Sequence, residues 1–156
     1  MNQLPSALNK GLILLLSFLS LWAGAMVYIY LRITEPVFIK FIEAAGLRNM
    51  FAVGKNFFSS LNLPGWLLFT LPSGLWAFSY SILITGIWWS NNSWLKYFWI
   101  ASILFLVVGW EVFQLLRIIP GTFSFGDILS GLIGASFGMF LGIKLVKPKY
   151  HEKENY

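Results

Sequence analysis

Trp94-Leu-Lys-Tyr-Phe-Trp-Ile-Ala-Ser-Ile-Leu-Phe-Leu-Val-Val-Gly-Trp-Glu-Val-Phe-Gln-Leu-Leu-Arg-Ile-Ile119 decides how this chain is read. Lys96 stands near its start and Arg117 near its end. What lies between is apolar enough to fill a hydrocarbon core, which takes about 20 helical residues. Glu111 and Gln114 interrupt it. An ionisable group at membrane depth costs at least ~2.5–3.5 kcal/mol on insertion scales, so it faces protein or a wet cavity. Arg117 is close enough to the membrane end to reach the interface with its guanidinium. Glu111 lies about 9 Å deeper along a helix and does not. It needs a partner, a cavity or a proton.

Working outward, three further stretches span. The first runs from about 11 to 33 between Lys10 and Arg32, the second from about 72 to 89, and the last from about 125 to 146. With the quoted stretch at 94–119, the expectation is an all-α polytopic membrane protein: a four-transmembrane-helix bundle forming a single domain over 1–156. Helices are the expected element because they satisfy their own backbone polar groups in lipid. Composition agrees: 58% of the residues are hydrophobic and 11% charged, where a soluble domain would carry roughly a quarter charged.

The segment between the first two spans, 34–71, reads as interfacial. Pro36 suits a first helical position. After it, Phe38, Phe41, Ile42 and Ala45 share one face and Lys40 and Glu43 the other, as in a helix lying in the interface plane. Residues 46–63 are weakly amphipathic. Leu67 to Leu71 reads as a loop dipping toward the membrane, with the second span starting at Pro72. Ser90-Asn-Asn-Ser93 is a tight polar turn that makes the second and third spans antiparallel neighbours. A retained signal anchor fits the first span, because the apolar run continues past Ala23-Gly-Ala25.

The net charge of +5 is dispersed. Its densest part, Lys144, Lys147, Lys149 and Lys153, reads as a juxtamembrane anchor in and before a polar tail at 147–156, not as a nucleic-acid patch. The basic residues divide almost evenly between the two sides. The compact C-terminal cluster and Lys10 favour placing both termini in the cytoplasm. Cysteine is absent, which removes thiol chemistry and thiolate metal sites. The lone His151 lies in the tail, and no cofactor or metal is called for.

Glu111, Gln114 and Arg117 spread over about 120° of helix, enough to share a face. Trp110, beside Glu111, is the tryptophan placed to line a pocket. Across a short loop, Ser124-x-x-Asp127 has capping-box spacing at the start of the fourth span. Asp127 there suits the helix dipole and stands where it could bridge to Arg117. Gly131, Gly134, Gly138 and Gly142 give that span a smooth stripe for close packing, inside the bundle or against another chain. Glu111, Gln114, Arg117, Ser124 and Asp127 are thus the candidate binding residues. No catalytic residue is assigned.

The stretch Glu111-x-x-Gln114, then Pro120-Gly-Thr-Phe-Ser-Phe-Gly-Asp127-Ile-Leu-Ser-Gly131-x-x-Gly134-x-x-x-Gly138, resembles the C-terminal signature of the VanZ-like family. These are small multi-spanning bacterial membrane proteins named for a teicoplanin-resistance factor. Glu111, Gln114, Asp127, Gly134 and Gly138 match the pattern. Gly131 stands where the family has Asn, and Ser124 where it often has a second Asp. The resemblance covers the latter half of the chain. It implies a protein of the bacterial inner membrane that engages a lipid, a lipid-linked envelope precursor or a glycopeptide-type antibiotic without turnover. Helix four's N-terminus and Arg117 would then meet an anionic head group. Two alternatives stand beside it: a scaffold or accessory subunit binding other membrane proteins through the glycine stripe and the aromatic surface, and an intramembrane enzyme using Glu111 as acid or base on a lipid head group.

Overall fold

The computed structural model describes residues 7–32, 36–60 and 64–146. In chain order the helices are α1 (Ala7–Val27), α2 (Pro36–Ala44), α3 (Arg48–Ser60), α4 (Gly65–Trp88), α5 (Leu95–Leu104), α6 (Trp110–Leu115) and α7 (Phe125–Val146). Two stretches of wider π-helix extend them, Tyr28–Arg32 after α1 and Phe105–Gly109 joining α5 to α6. Among the described residues four helices are long and apolar enough to cross a membrane: Ala7–Tyr30, Gly65–Trp88, Leu95–Leu115 and Phe125–Val146. This is the all-α, four-span architecture of a multi-pass membrane protein, with the short helices α2 and α3 between its first and second spans.

Three boundaries differ from the expectation. The second span begins at Gly65 and runs unbroken through Pro72, so the stretch read as a dipping loop is helical. Pro72 lacks an N–H and cannot complete its turn. The carbonyl that loses its helical donor is that of Leu68, four residues earlier, a loss that packed membrane helices tolerate. Close by, Ser130 of α7 donates its hydroxyl to the Thr70 carbonyl at 2.8 Å and holds the two helices together. The third span stops at Leu115 instead of Ile119. The first, expected from about residue 11, is helical from Ala7 and reaches Tyr30 as an apolar span. The polar tail at 147–156, with His151, lies outside the described residues.

Helix α4 is the hub, with α7, α1 and α5 all packed on it. The glycine stripe settles against it. A Cβ at Gly134 would collide with the Gly74 carbonyl, and one at Gly138 would lie 2.6 Å from the Phe78 carbonyl oxygen. Gly142 faces Thr85 of the same helix. Gly131 instead faces Val107 of the third span. The stripe therefore packs within the monomer, which decides one of the two readings left open. Ser81 and Thr85 are fully buried under it with hydroxyls that have no hydrogen-bond partner among the described residues. Small size, not hydrogen bonding, accounts for them.

The α1–α4 contact uses a second stripe that the sequence reading passed over. Ser17, Ser20 and Gly24 recur at helical spacing. Ser17 Oγ donates to the Ser79 carbonyl at 3.1 Å and Ser79 Oγ to the Ser17 carbonyl at 2.8 Å, while Ser20 donates to Leu75 O at 2.8 Å. Gly24 admits the indole edge of Trp76, whose Nε1 would lie 2.6 Å from an added Cβ.

The apolar core sits in one half of the bundle, at the end holding the Asn91 turn. Ile13, Ile82 and Val146 form one buried cluster and Ile84, Ile103 and Ala135 another. Trp88 and Trp99 stack at 6.0 Å beside the second. On the opposite side, α2 and α3 meet through Arg48 Nε and Glu43 Oε1 at 3.6 Å. Phe51 and Phe58 of α3 stack on Tyr30 at 5.4 and 5.2 Å. Met50, Val53 and Phe57 remain exposed. In α2, Ile42 is buried and Phe41 exposed.

Candidate functional site

Glu111 stands in the first turn of α6, directly after the π-helical segment. It is the one buried charged residue among those described, at 6% exposure. The wider turn of the π-helix resets the azimuth of everything after it, and such segments recur at functional sites. The carboxyl is held in place. Its Oε2 accepts the backbone N–H of Ser124 at 2.9 Å. With the Gln114 amide oriented so that its nitrogen meets acceptors, Gln114 donates to the same oxygen at 3.2 Å and to the Thr122 carbonyl at 3.1 Å. Gly121, at φ +135°, lets the loop pass over that amide, since any Cβ there would collide with it.

Ser124 carries the connection onward. Its Oγ accepts the Asp127 backbone N–H at 3.2 Å, the N-cap expected of the Ser-x-x-Asp spacing. In a full capping box the Ser124 N–H would pair with the side chain three residues later. Here it goes to Glu111. One residue thus caps α7 and ties that cap to the third span.

Arg117 leaves the cluster. It occupies the position after the end of α6 with φ +56°. Arg117 N–H reaches Gln114 O at 3.0 Å and Ile118 N–H reaches Phe113 O at 2.9 Å, the two bonds of a Schellman ending. Gly46 ends α2 in the same way at φ +71°. The left-handed turn directs Arg117 outward, so it is exposed and forms no ion pair among the described residues. The expected bridge to Asp127 and the alternative pairing with Glu111 are both absent there.

A cavity of about 900 Å³ opens among the four spans and borders the second buried cluster, whose Ile103 is among its lining residues. Glu111, Gln114, Asp127, Thr122 and Gly131 line it, whereas Arg117 and Ser124 do not. Trp110 lines it as expected. The first and second spans add Tyr28, Trp76 and Tyr80, which the sequence reading did not single out. A signal existed: Trp76 and Tyr80 are four apart, alternating with the small residues Ser73 and Ala77 on one face. The Tyr28 and Trp76 rings lie 5.6 Å apart, tilted by 48°. Tyr80 is fixed by its hydroxyl, 2.8 Å from Ser102 Oγ. Leu21, Tyr28, Leu106 and Trp110 both line the cavity and are exposed, so its rim opens sideways at membrane depth between the first and third spans. At 1.5 Å per residue, Ile103 lies roughly 18 Å from the end of the third span, so the cavity reaches past mid-membrane.

Comparison of the chain with protein-family models, with curated proteins and with solved structures finds no match.

Proposed function

We propose that this protein is a VanZ-like, non-catalytic protein of the bacterial inner membrane, with both termini cytoplasmic, that holds an amphiphile in the cavity between its spans. The ligand class is a lipid, a lipid-linked envelope precursor or a glycopeptide-type antibiotic. One observation carries the reading: a cavity of about 900 Å³, lined by four aromatic side chains and by Glu111, Gln114 and Asp127, has exposed apolar residues at its rim. Ligand sites are typically apolar clefts of roughly 300–1,000 Å³ with a few placed polar groups. For the scaffold alternative the aromatic surface remains, since Gly134, Gly138 and Gly142 of the glycine stripe pack on α4 and Gly131 on the third span.

Native mass spectrometry of protein released from lipid nanodiscs tests the cavity. The native chain should retain an amphiphile-sized mass. A cavity-filling Ala77→Phe variant, shown by its melting curve to be folded, should not. Equal retention by both refutes the site, and a retained protein partner in place of lipid favours the scaffold. The VanZ-like part is tested by expression in a glycopeptide-sensitive bacterium. Raised teicoplanin tolerance that is lost in Glu111→Gln is expected, and unchanged tolerance refutes it.

A further inference from the structure

The expected anionic head group does not suit this cavity. Arg117 lies outside it, and no Lys, Arg or His is among its described lining residues. The α7 N-terminus, the other feature expected to attract an anion, already carries Ser124 on its N–H and Asp127 in its first turn. The polar end of the cavity instead presents two carboxyl groups, Glu111 and Asp127. Four aromatic side chains drawn from three spans, Tyr28, Trp76, Tyr80 and Trp110, line the same cavity. A phosphate or sulfate placed there would meet carboxyl oxygens and electron-rich ring faces, and no cationic side chain among the described lining residues.

An organic ammonium reverses each of those interactions. Ring faces attract a cation within about 6 Å of the centroid, most strongly for Trp, and desolvation strengthens the attraction. Carboxyl oxygens accept its N–H groups, or balance its charge where it has none. The tilt of Tyr28 against Trp76 keeps the two rings from closing flat on one another. Elsewhere in the lining, Leu21, Leu106 and Val107 offer apolar surface, which suits a hydrocarbon body. We infer that the cavity selects amphiphiles whose polar end is a cationic ammonium attached to an apolar chain. This deepens the amphiphile-binding reading above and rests on it.

The test uses the full chain in nanodiscs of zwitterionic lipid, followed by tryptophan fluorescence. Three probes of equal chain length are compared: dodecyltrimethylammonium, dodecyl maltoside and dodecylsulfonate. The native chain should bind the cation saturably and roughly tenfold more tightly than the neutral probe, with the sulfonate weakest. Asp127→Asn should bring the cation and neutral probes close to parity. That variant keeps the helix cap, which uses the Asp127 backbone N–H rather than its side chain. Trp110→Leu, at an exposed rim position, is the second variant and should also weaken cation binding selectively. Equal native affinity for cation and neutral probe, or a preference untouched by both variants, overturns the ammonium inference and leaves amphiphile binding standing. Saturable binding of none of the three probes overturns both.

Discussion

Replacing Gly134 by Ala sets a methyl group against the backbone of α4, and the size of the effect can be worked out. An added Cβ at Gly134 overlaps the Gly74 carbonyl more severely than one at Gly138 overlaps Phe78 O, where the separation would be 2.6 Å against an ordinary contact of 3.4 Å. The atoms struck are backbone, so no rotamer change relieves them. Helix α7 must retreat by about 0.8 Å or more at that level. A radial gap of roughly 0.5–1 Å forfeits a quarter to a half of an atomic contact worth ~0.1–0.2 kcal/mol, so a few dozen atom pairs give up about 2 kcal/mol. Overpacking penalties of about 1–3 kcal/mol agree with that figure. Helix propensity returns up to about 1 kcal/mol, leaving a net loss of roughly 1–2 kcal/mol. Gly11→Ala is the matched control. It lies in the same bundle with nothing within 4 Å of its would-be Cβ, and it should be neutral or gain up to about 1 kcal/mol. Dodecyl sulfate titration of the purified protein in mild detergent, read by the fluorescence of its eight tryptophans, measures both. Equal stabilities within about 0.5 kcal/mol, the scatter of inert surface changes, would refute the α4–α7 contact as described.

Two further outcomes follow from contacts elsewhere in the bundle. Arg117→Gly should raise stability by about 1 kcal/mol in the same titration, because a left-handed conformation costs any residue with a Cβ roughly that much. A loss of the ~3–5 kcal/mol that accompanies breaking a buried ion pair would show that Arg117 holds a carboxylate after all. Ser17→Ala and Ser79→Ala, combined in a double-mutant cycle, should show coupling between about 0.6 and 1.7 kcal/mol, the range for interhelical hydrogen bonds in membranes. Additivity within about 0.3 kcal/mol would mean that the reciprocal serine contact contributes packing alone.

Much of this architecture is readable from residue order, and the misreadings have identifiable causes. The four spans follow from run length alone, since burial in lipid demands it. Glu111, Gln114, Ser124 and Asp127 declare themselves because polar groups are costly at that depth, and the fold brings all four together. Pro72 misled because local sterics argue for a break, while the packing that holds α4 continuous there, Gly134 against Gly74 and Ser130 on the Thr70 carbonyl, comes from a helix far along the chain. Arg117 misled through period: a regular helix would turn it toward Glu111, but α6 ends at Leu115 and the chain reverses hand at Arg117 itself. The π-helical segment before Glu111 has no signature in the residues Phe105-Leu-Val-Val-Gly109. The cavity walls were hidden for another reason. Tyr28, Trp76 and Tyr80 are ordinary membrane aromatics until α1 and α4 are set side by side by Ser17, Ser20 and Gly24.

The central place of α4 also bears on how the protein is made. Its broadest partner, α7, is the last of the four spans to leave the ribosome. At about 5–20 residues per second, the 58 residues between Trp88 and Val146 take roughly 3–12 s to synthesise. During that interval α1 can already clasp one face of α4 through its serines, while the adjacent face, with Gly74, Ser81 and Thr85, still lacks α7. A surface of small residues suits that wait, because it offers no large side chain that must repack when the final helix arrives. The small-residue face of α4 is therefore completed only when Gly134 and Gly138 of α7 arrive against it.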